Sequence, residues 1–434
     1  RSQTAEIRFD ITSQVTNQHE VKVGGKFKND LMEFEDFTVQ RDTLTYLTPT
    51  ILSPESPAHD LYSKEPIQFS AYAQDKMEFA SMIINAGIRY DYFNSRSEYL
   101  PNTYAPLSDT AMAEPKNTFS PRLGISFPIT DEGILHFSYG HFYQLPPYNF
   151  LYTNPTFEDN VAVPTFGNAN LKPEKTVTYE IGLQQQLTED LAFNVTGFYK
   201  DVRDLLALQQ IRVSSSFSYY TYVNQDYGNI QGITFSLTKR KMPGTLFGLS
   251  LDYTFQVAEG NEVNATAFFL DAASGRQSEK IPVPLAWDQQ HTLNGVISFG
   301  EDRNWLFTLV GNISTGLPYT PLIYDKQIYL ESNSERKPLQ TNVDLLIEKS
   351  FDLSDIVLTA FLKVYNLFDT KNENFVYDDT GRATYTLQSG RSGPEATNEL
   401  AATNPGIKSA DEYFVRPQYY SSPREVRLGF MMEF

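Results

Sequence analysis

The chain has 434 residues, a formal net charge of −18 and no cysteine. That acidic balance argues against a nucleic-acid partner, because holding phosphates takes a basic surface. The missing cysteines exclude disulfides, thiolate metal sites and cysteine nucleophiles. Hydrophobic residues make up 41%, enough to bury a core or face lipid. No run of roughly 18 apolar residues is present to cross a bilayer as a helix.

Taken in chain order, the hydrophobic period is two almost everywhere. Ile7, Phe9 and Ile11 alternate with Glu6, Arg8 and Asp10; Ile84, Ile88, Tyr90 and Tyr92 with Asn85, Arg89 and Asp91. Further on, Phe247, Leu249, Leu251 and Tyr253 alternate with Gly248, Ser250, Asp252 and Thr254. Alternation at this period predicts strands with one apolar and one polar face. About fifteen are expected, at 5–13, 20–28, 67–74, 83–93, 119–128, 134–144, 176–187, 191–200, 229–239, 246–256, 291–299, 305–315, 341–351, 356–368 and 424–434. Each has the length of a tilted strand crossing a bilayer, about 9–11 residues or slightly more.

The connections alternate in length. Short links such as TDEG, TED, EDRN and LSD separate long polar segments near 29–66, 94–118, 145–175, 201–228, 257–290, 316–340 and 369–423. Short turns on one side and long loops on the other mark an outer-membrane barrel. The fold expected is all-β, an antiparallel transmembrane β-barrel. Its apolar faces would meet lipid, its polar faces a wet lumen, and aromatics near the strand ends would form interfacial girdles. An odd strand number does not suit a single-chain bacterial barrel. Together with the strand directions, it leads to the expectation that residues 1–434 are the C-terminal portion of one barrel domain.

Candidate sites are few. His136 and His141 share a strand but are five apart, hence on opposite faces, and no metal site is expected from the five histidines. Catalytic fingerprints are absent, so no enzyme, catalytic residue or cofactor is expected. The stretch HFYQLPPYNFLYTNP is the best ligand candidate. Tyr143, Tyr148, Phe150 and Tyr152 cluster there beside Pro146 and Pro147, and aromatic rings with polar tips suit sugars, peptides or chelates. The bland alternative is a girdle and a loop packed on itself. Arg89 and Arg122 would face the lumen, where they could steer an anion or simply pair with carboxylates such as Asp91.

Five segments resemble a TonB-dependent receptor. NANLKPEKTVTYEIGLQ (168–184) is similar to the family's Leu-Lys-Pro-Glu segment; TFSPRLGISFPIT (118–130), KVYNLFDTKN (363–372), NFVYDDTGR (374–382) and the closing SSPREVRLGFMMEF follow in the family's order. The style is that of the group whose N-terminal extension is a carboxypeptidase-regulatory-like domain. The resemblance implies a 22-strand barrel of which about fifteen strands are present, with an N-terminal plug and a TonB-engaging box outside the sequence. It also implies that Phe434, after Met432 and Phe430, acts as the signal read by the barrel-assembly machinery.

The function so implied is active uptake of a scarce solute (a chelate, glycan or peptide) through the outer membrane of a Gram-negative bacterium. Long outer loops would bind the solute, and TonB would supply the pull through the region not in view. Outer-membrane lipid is the expected surrounding, and a surface lipoprotein or another complex subunit is an open partner. Two other readings stay open at this point: a passive outer-membrane channel, and a structural or adhesion barrel binding a protein partner.

Overall fold

Period-two alternation becomes fifteen long strands in the computed structural model. The structure describes residues 1–37, 39–41, 49–51, 59–105, 109–154, 157, 164–214, 217–261, 282–301, 304–323, 328–353, 356–388, 406 and 410–433. The strands are β1 (Ser2–Thr16), β2 (His19–Phe37), β3 (Ile67–Phe79), β4 (Met82–Asn94), β5 (Lys116–Pro128), β6 (Gly133–Gln144), β7 (Glu174–Gln186) and β8 (Leu191–Arg212). They continue as β9 (Ser218–Lys239), β10 (Phe247–Asn261), β11 (His291–Glu301), β12 (Trp305–Ser314), β13 (Gln340–Leu353), β14 (Ile356–Tyr365) and β15 (Glu425–Glu433). Each pairs antiparallel with the next in chain order, an unbroken meander. Among the described residues the outer edges of β1 and β15 have no partner.

All fifteen expected strands are found, and the errors lie in the loops. The segment 201–228, read as a loop, is mostly strand: β8 and β9 run 22 residues each and stay paired as far as Arg212 and Ser218. A bulge between Val202 and Leu205, with Asp204 at φ 58°, marks where this ribbon changes course, as an extra residue in one strand bends and twists a pair. Likewise β2 continues to Phe37, and from Met32 onward the short strand His59–Lys64 replaces β3 as its partner. Beyond Val202 the run Leu205-Leu206-Ala207-Leu208 breaks period two, so the pattern that marks the other strands is lost along this ribbon.

The two faces separate as the alternation requires. The outer face carries Ile7, Ile88, Ile181, Leu309, Leu428 and Phe430, all exposed to the surroundings. A soluble protein rarely exposes so continuous an apolar surface, and a lipid-facing band needs one. Aromatic rings band both ends of it. Tyr139, Tyr179 and Tyr199 stand side by side in register on β6, β7 and β8, with centroids 5.1 and 6.3 Å apart. Towards the short turns, Trp305 contacts Phe299 at 5.5 Å and Phe307 at 5.6 Å.

The inner face is polar and self-neutralising. Residues i and i+2 share a strand face, and ion pairs use that spacing: Arg8–Asp10 at 2.6 Å, Lys22–Glu20 at 3.2 Å, Lys28–Asp30 at 2.8 Å, Arg89–Asp91 at 2.6 Å and Arg427–Glu425 at 2.5 Å. Asp30 is buried, at 4% exposed; the more exposed pairs contribute at most about 1 kcal/mol each. Their larger effect is to cancel charge along the lumen wall.

Candidate solute-binding site

The chain after β6 turns back over the strand ends. Pro147 precedes a single helical turn, α1 (Tyr148–Tyr152), which the sequence did not suggest. This turn drives Leu151 and Tyr152 into a small core with Phe93 and Leu171. Tyr152 is 0% exposed and its hydroxyl donates to the Ser95 carbonyl at 2.8 Å, so it offers no surface to a solute. Phe150 stacks on Tyr222 of the β8–β9 ribbon, centroids 4.2 Å apart and planes 10° off parallel. Tyr148 donates to Asp30 at 2.8 Å and accepts from Gln68 at 2.7 Å. Burial drives the hydroxyls of Tyr148 and Tyr152 well above their ordinary range, so both remain protonated donors.

The four aromatics therefore do not act together. Tyr148, Phe150 and Tyr152 tie a loop down over β2, β4 and the ribbon. Tyr143 instead joins the wall of a cavity of about 230 Å³, together with Lys26, Arg89, Lys116 and Arg122. The structure thus brings Tyr143, Arg89 and Arg122 to one place and leaves the other three as its support.

The two arginines also part company. Arg89 makes three hydrogen bonds to Asp91, with Nε 2.9 Å from each carboxylate oxygen and Nη2 2.6 Å from Oδ1. Its charge is spent on its neighbour. Arg122 lies 4.7 Å from the centroid of the Phe142 ring, and among the described residues it has no carboxylate partner. His136 and His141 lie on opposite faces, and among the described residues no group of three or more His, Cys, Asp or Glu could hold a metal.

With fold and cavity in place, comparison decides the family. The sequence profile described as TonB dependent receptor-like, beta-barrel matches residues 2–367. The chain belongs to the TonB-dependent receptor β-barrel family. Solved structures agree on the fold. The outer membrane transporter YddB from Escherichia coli superposes with a TM-score of 0.62 at 14% identity, covering 86% of this chain and 51% of that one. The FrpB iron transporter from Neisseria meningitidis gives 0.59 at 13%, with 86% and 51% covered. The ferric citrate transporter FecA, unliganded, gives 0.59 at 16%, with 99% and 53% covered. This receptor chain spans about half the length of those structures. Comparison with curated proteins gives no match.

The segments that carry the family resemblance are structural buckles, which sequence reasoning did not foresee. Leu171, of the Leu-Lys-Pro-Glu segment, is 1% exposed beneath α1. Asn168 Nδ2 donates to the Tyr222 carbonyl at 2.9 Å, fixing the same segment to the ribbon. In the Tyr-Asn-Leu-Phe-Asp segment, Asn366 takes φ 50°, a left-handed geometry that asparagine tolerates better than most residues. Its side chain donates to the carbonyls of Thr370 and Ser422 at 3.0 Å each and accepts from Thr370 N–H at 2.8 Å. Of the proposed assembly signal, Phe430 and Met432 are exposed on the outer face of β15, and Phe434 lies outside the described residues.

Proposed function

We propose that this receptor barrel works in the outer membrane of a Gram-negative bacterium, in the energised uptake of a scarce solute. The observation that carries the reading is the family match across residues 2–367. It is supported by the apolar outer face, which suits lipid, and by the polar inner face, which suits a wet path. The solute would meet Tyr143, Arg89 and Arg122 at the cavity. Tyr148, Phe150 and Tyr152 would hold the loop that shapes it. Chelate, glycan and peptide are the solute classes in view. TonB is the proposed source of the pull and the barrel-assembly machinery the proposed route into the membrane.

Uptake measurements in cells carrying or lacking the gene test the proposal. A pool of labelled chelates, glycans and peptides should contain a solute whose uptake needs both the gene and the proton gradient. Uptake that survives a protonophore would mark a passive channel instead. A stable stoichiometric protein partner, with no uptake defect on deletion, would mark a scaffold.

A further inference from the structure

The outward face of the barrel, which nothing in the lumen can reach, carries polar groups with no partner. On β6, β7 and β8 the register puts Tyr139, Tyr179 and Tyr199 side by side. The two flanking hydroxyls are engaged within the protein: Tyr139 with His141 Nε2 at 2.7 Å, and Tyr199 donating to Asn229 Oδ1 at 3.0 Å. The Tyr179 hydroxyl between them has no hydrogen-bond partner among the described residues. Alternate residues share a strand face, so Lys175 and Arg203 stand on the same outward side as Tyr179 and Tyr199. They lie about 13 Å further along the strands toward the long loops, and they are register partners.

Both cations have charge to offer. Lys175 makes no hydrogen bond or ion pair among the described residues. Arg203 meets Asp201 through Nε alone, at 2.9 and 3.1 Å from its two oxygens, and its guanidinium lies 5.3 Å from the centroid of the Tyr227 ring. Its two Nη groups stay open. Below the bulge, Asp201 is the one carboxylate that the register puts on the outward face of β6 to β9. The chain as a whole carries −18, so this stretch of surface reverses its balance.

Directly below, the same face has a notch. Gly197 stands between Ile181 and Ile233 in register, and both isoleucines are more than half exposed. A Cβ at Gly197 would meet only the Ile181 carbonyl oxygen, at 4.0 Å. Glycine inside a strand lets another group come close to the backbone. Tyr199, the next outward residue on β8, leans away from this gap to Asn229.

We propose that this outward patch of β7 and β8 binds a phosphate-bearing lipid of the outer leaflet. Lys175, Arg203 and the Tyr179 hydroxyl would hold the phosphate, and one acyl chain would lie in the notch at Gly197. Donors without an acceptor call for an anion, and a guanidinium meets phosphate oxygens two at a time. An apolar gap just below, on a face already in lipid, calls for a chain joined to that anion, which free phosphate lacks. The proposal rests on the outer-membrane placement above and is independent of which solute is transported.

The test uses the full-length receptor purified in detergent and titrated, by native mass spectrometry, with diphosphorylated lipid A, with the same lipid stripped of phosphate, and with inorganic phosphate. One saturable lipid A adduct is expected, and the two controls should bind at least about tenfold more weakly. Lys175→Gln combined with Arg203→Gln should weaken lipid A about tenfold to thirtyfold. Gly197→Leu fills the notch without changing charge and should weaken it too. Lys349→Gln removes a cation from the outward face beside Trp305, at the end of the short turns, and should leave binding unchanged.

Three results would overturn the assignment: no saturable lipid A adduct, the dephosphorylated lipid bound as tightly, or unchanged affinity in a folded double variant. Should the double variant fail to fold, unchanged affinity in Gly197→Leu overturns it as well. A loss in Lys349→Gln as large as in the double variant would reduce the effect to general charge attraction and overturn it too. A co-purifying protein released by the same variants, in place of lipid, would give the face to a protein partner and overturn it. Lipid A held here by a receptor without gene-dependent uptake would keep the site and remove the transport reading. Energised uptake by a receptor that binds no lipid A would do the reverse.

Discussion

The Tyr148 hydroxyl donates to the Asp30 carboxylate at 2.8 Å across 118 residues of chain. This bond ties α1 to β2. Asp30 is only 4% exposed and also accepts from Thr4 Oγ1 at 2.6 Å and pairs with Lys28 at 2.8 Å. Tyr148→Phe therefore removes one of several contacts to a carboxylate that stays satisfied. The expected cost is about 1–2 kcal/mol, confined to the loop. Hydrogen–deuterium exchange reads it: amides of α1 should exchange roughly tenfold faster, with those of β6 and β7 unaffected. An unchanged α1 would show that the bond does not hold the loop.

Lipid and lumen faces predict opposite outcomes for the same substitution. Leu309 stands between Ile297 and Leu345 on the outer face. Ser250 lies between Thr238 and Val296 on the inner one. Leu309→Arg puts a charge into hydrocarbon and should cost about 2–4 kcal/mol near the midplane, whereas lumen changes are tolerated. Urea titration of folding into lipid vesicles, followed by tryptophan fluorescence, measures both. Equal costs for Leu309→Arg and Ser250→Arg would undo the assignment of faces.

The strands were legible because each barrel strand obeys one rule, apolar out and polar in, and the sequence states it residue by residue. Leu249, Leu251 and Tyr253 could be placed against Ser250 and Asp252 without coordinates. The ribbon of β8 and β9 was not legible, since beyond Val202 a bulge and the apolar run Leu205-Leu206-Ala207-Leu208 interrupt period two. The site was half legible. The aromatic density around Tyr148–Tyr152 pointed to the right loop, but density cannot tell a binding ring from a packing one. Tyr152 went inward because Pro147 starts a helical turn, and a period of 3.6 puts Leu151 and Tyr152 on its buried side. For Arg89 a signal was present and under-used: with Asp91 two residues on, a strand puts both on one face at pairing distance. Arg122 has no acidic residue at i±2, since Ser120 and Gly124 stand there. That difference, visible in the sequence, separates the spent cation from the available one.

The ribbon has its own small core, so it should fail independently of the barrel. Phe166, Ile211 and Tyr219 pack together, with Tyr219 0% exposed and its hydroxyl donating to the Thr103 carbonyl at 2.5 Å. Burial pushes that hydroxyl up to about 12, so the bond survives across the working pH range. Tyr219→Ala should cost the ribbon about 3–5 kcal/mol, while Tyr219→Phe, losing only the hydrogen bond, should cost about 1 kcal/mol. Limited proteolysis should cut the Ala variant between Arg203 and Tyr227 and leave the strands in lipid intact. Barrel melting that fell along with ribbon cleavage would mean the two are one cooperative unit.

The loop between β14 and β15 should loosen in acid, and Glu373 supplies the reason. Its residue is 6% exposed, yet Arg382 donates to it from Nη2 at 2.6 Å and from Nε at 3.0 Å, and the Ala383 N–H donates as well. Burial alone would raise this carboxyl; the bonds from Arg382 and Ala383 outweigh it and hold it below its usual 4.5. A group depressed on folding adds stability that is complete above its unfolded value and is lost as pH falls through the folded one. The loop should thus be insensitive to pH from 7 down to about 4.5 and soften below that. A nitroxide at Tyr385→Cys, an exposed position two residues past Ala383, reports its mobility. In wild type, mobility should rise only below that value. In Glu373→Gln it should be high at neutral pH and nearly independent of pH, because the group that titrates is gone. Arg382 is half exposed, so water takes over its charge and the expected loss at pH 7 is about 1–2 kcal/mol, short of the cost of stranding a fully buried partner. A wild-type loop equally rigid at pH 3 and 7 would show that other contacts, such as Asn372 to Thr341, carry it without Glu373.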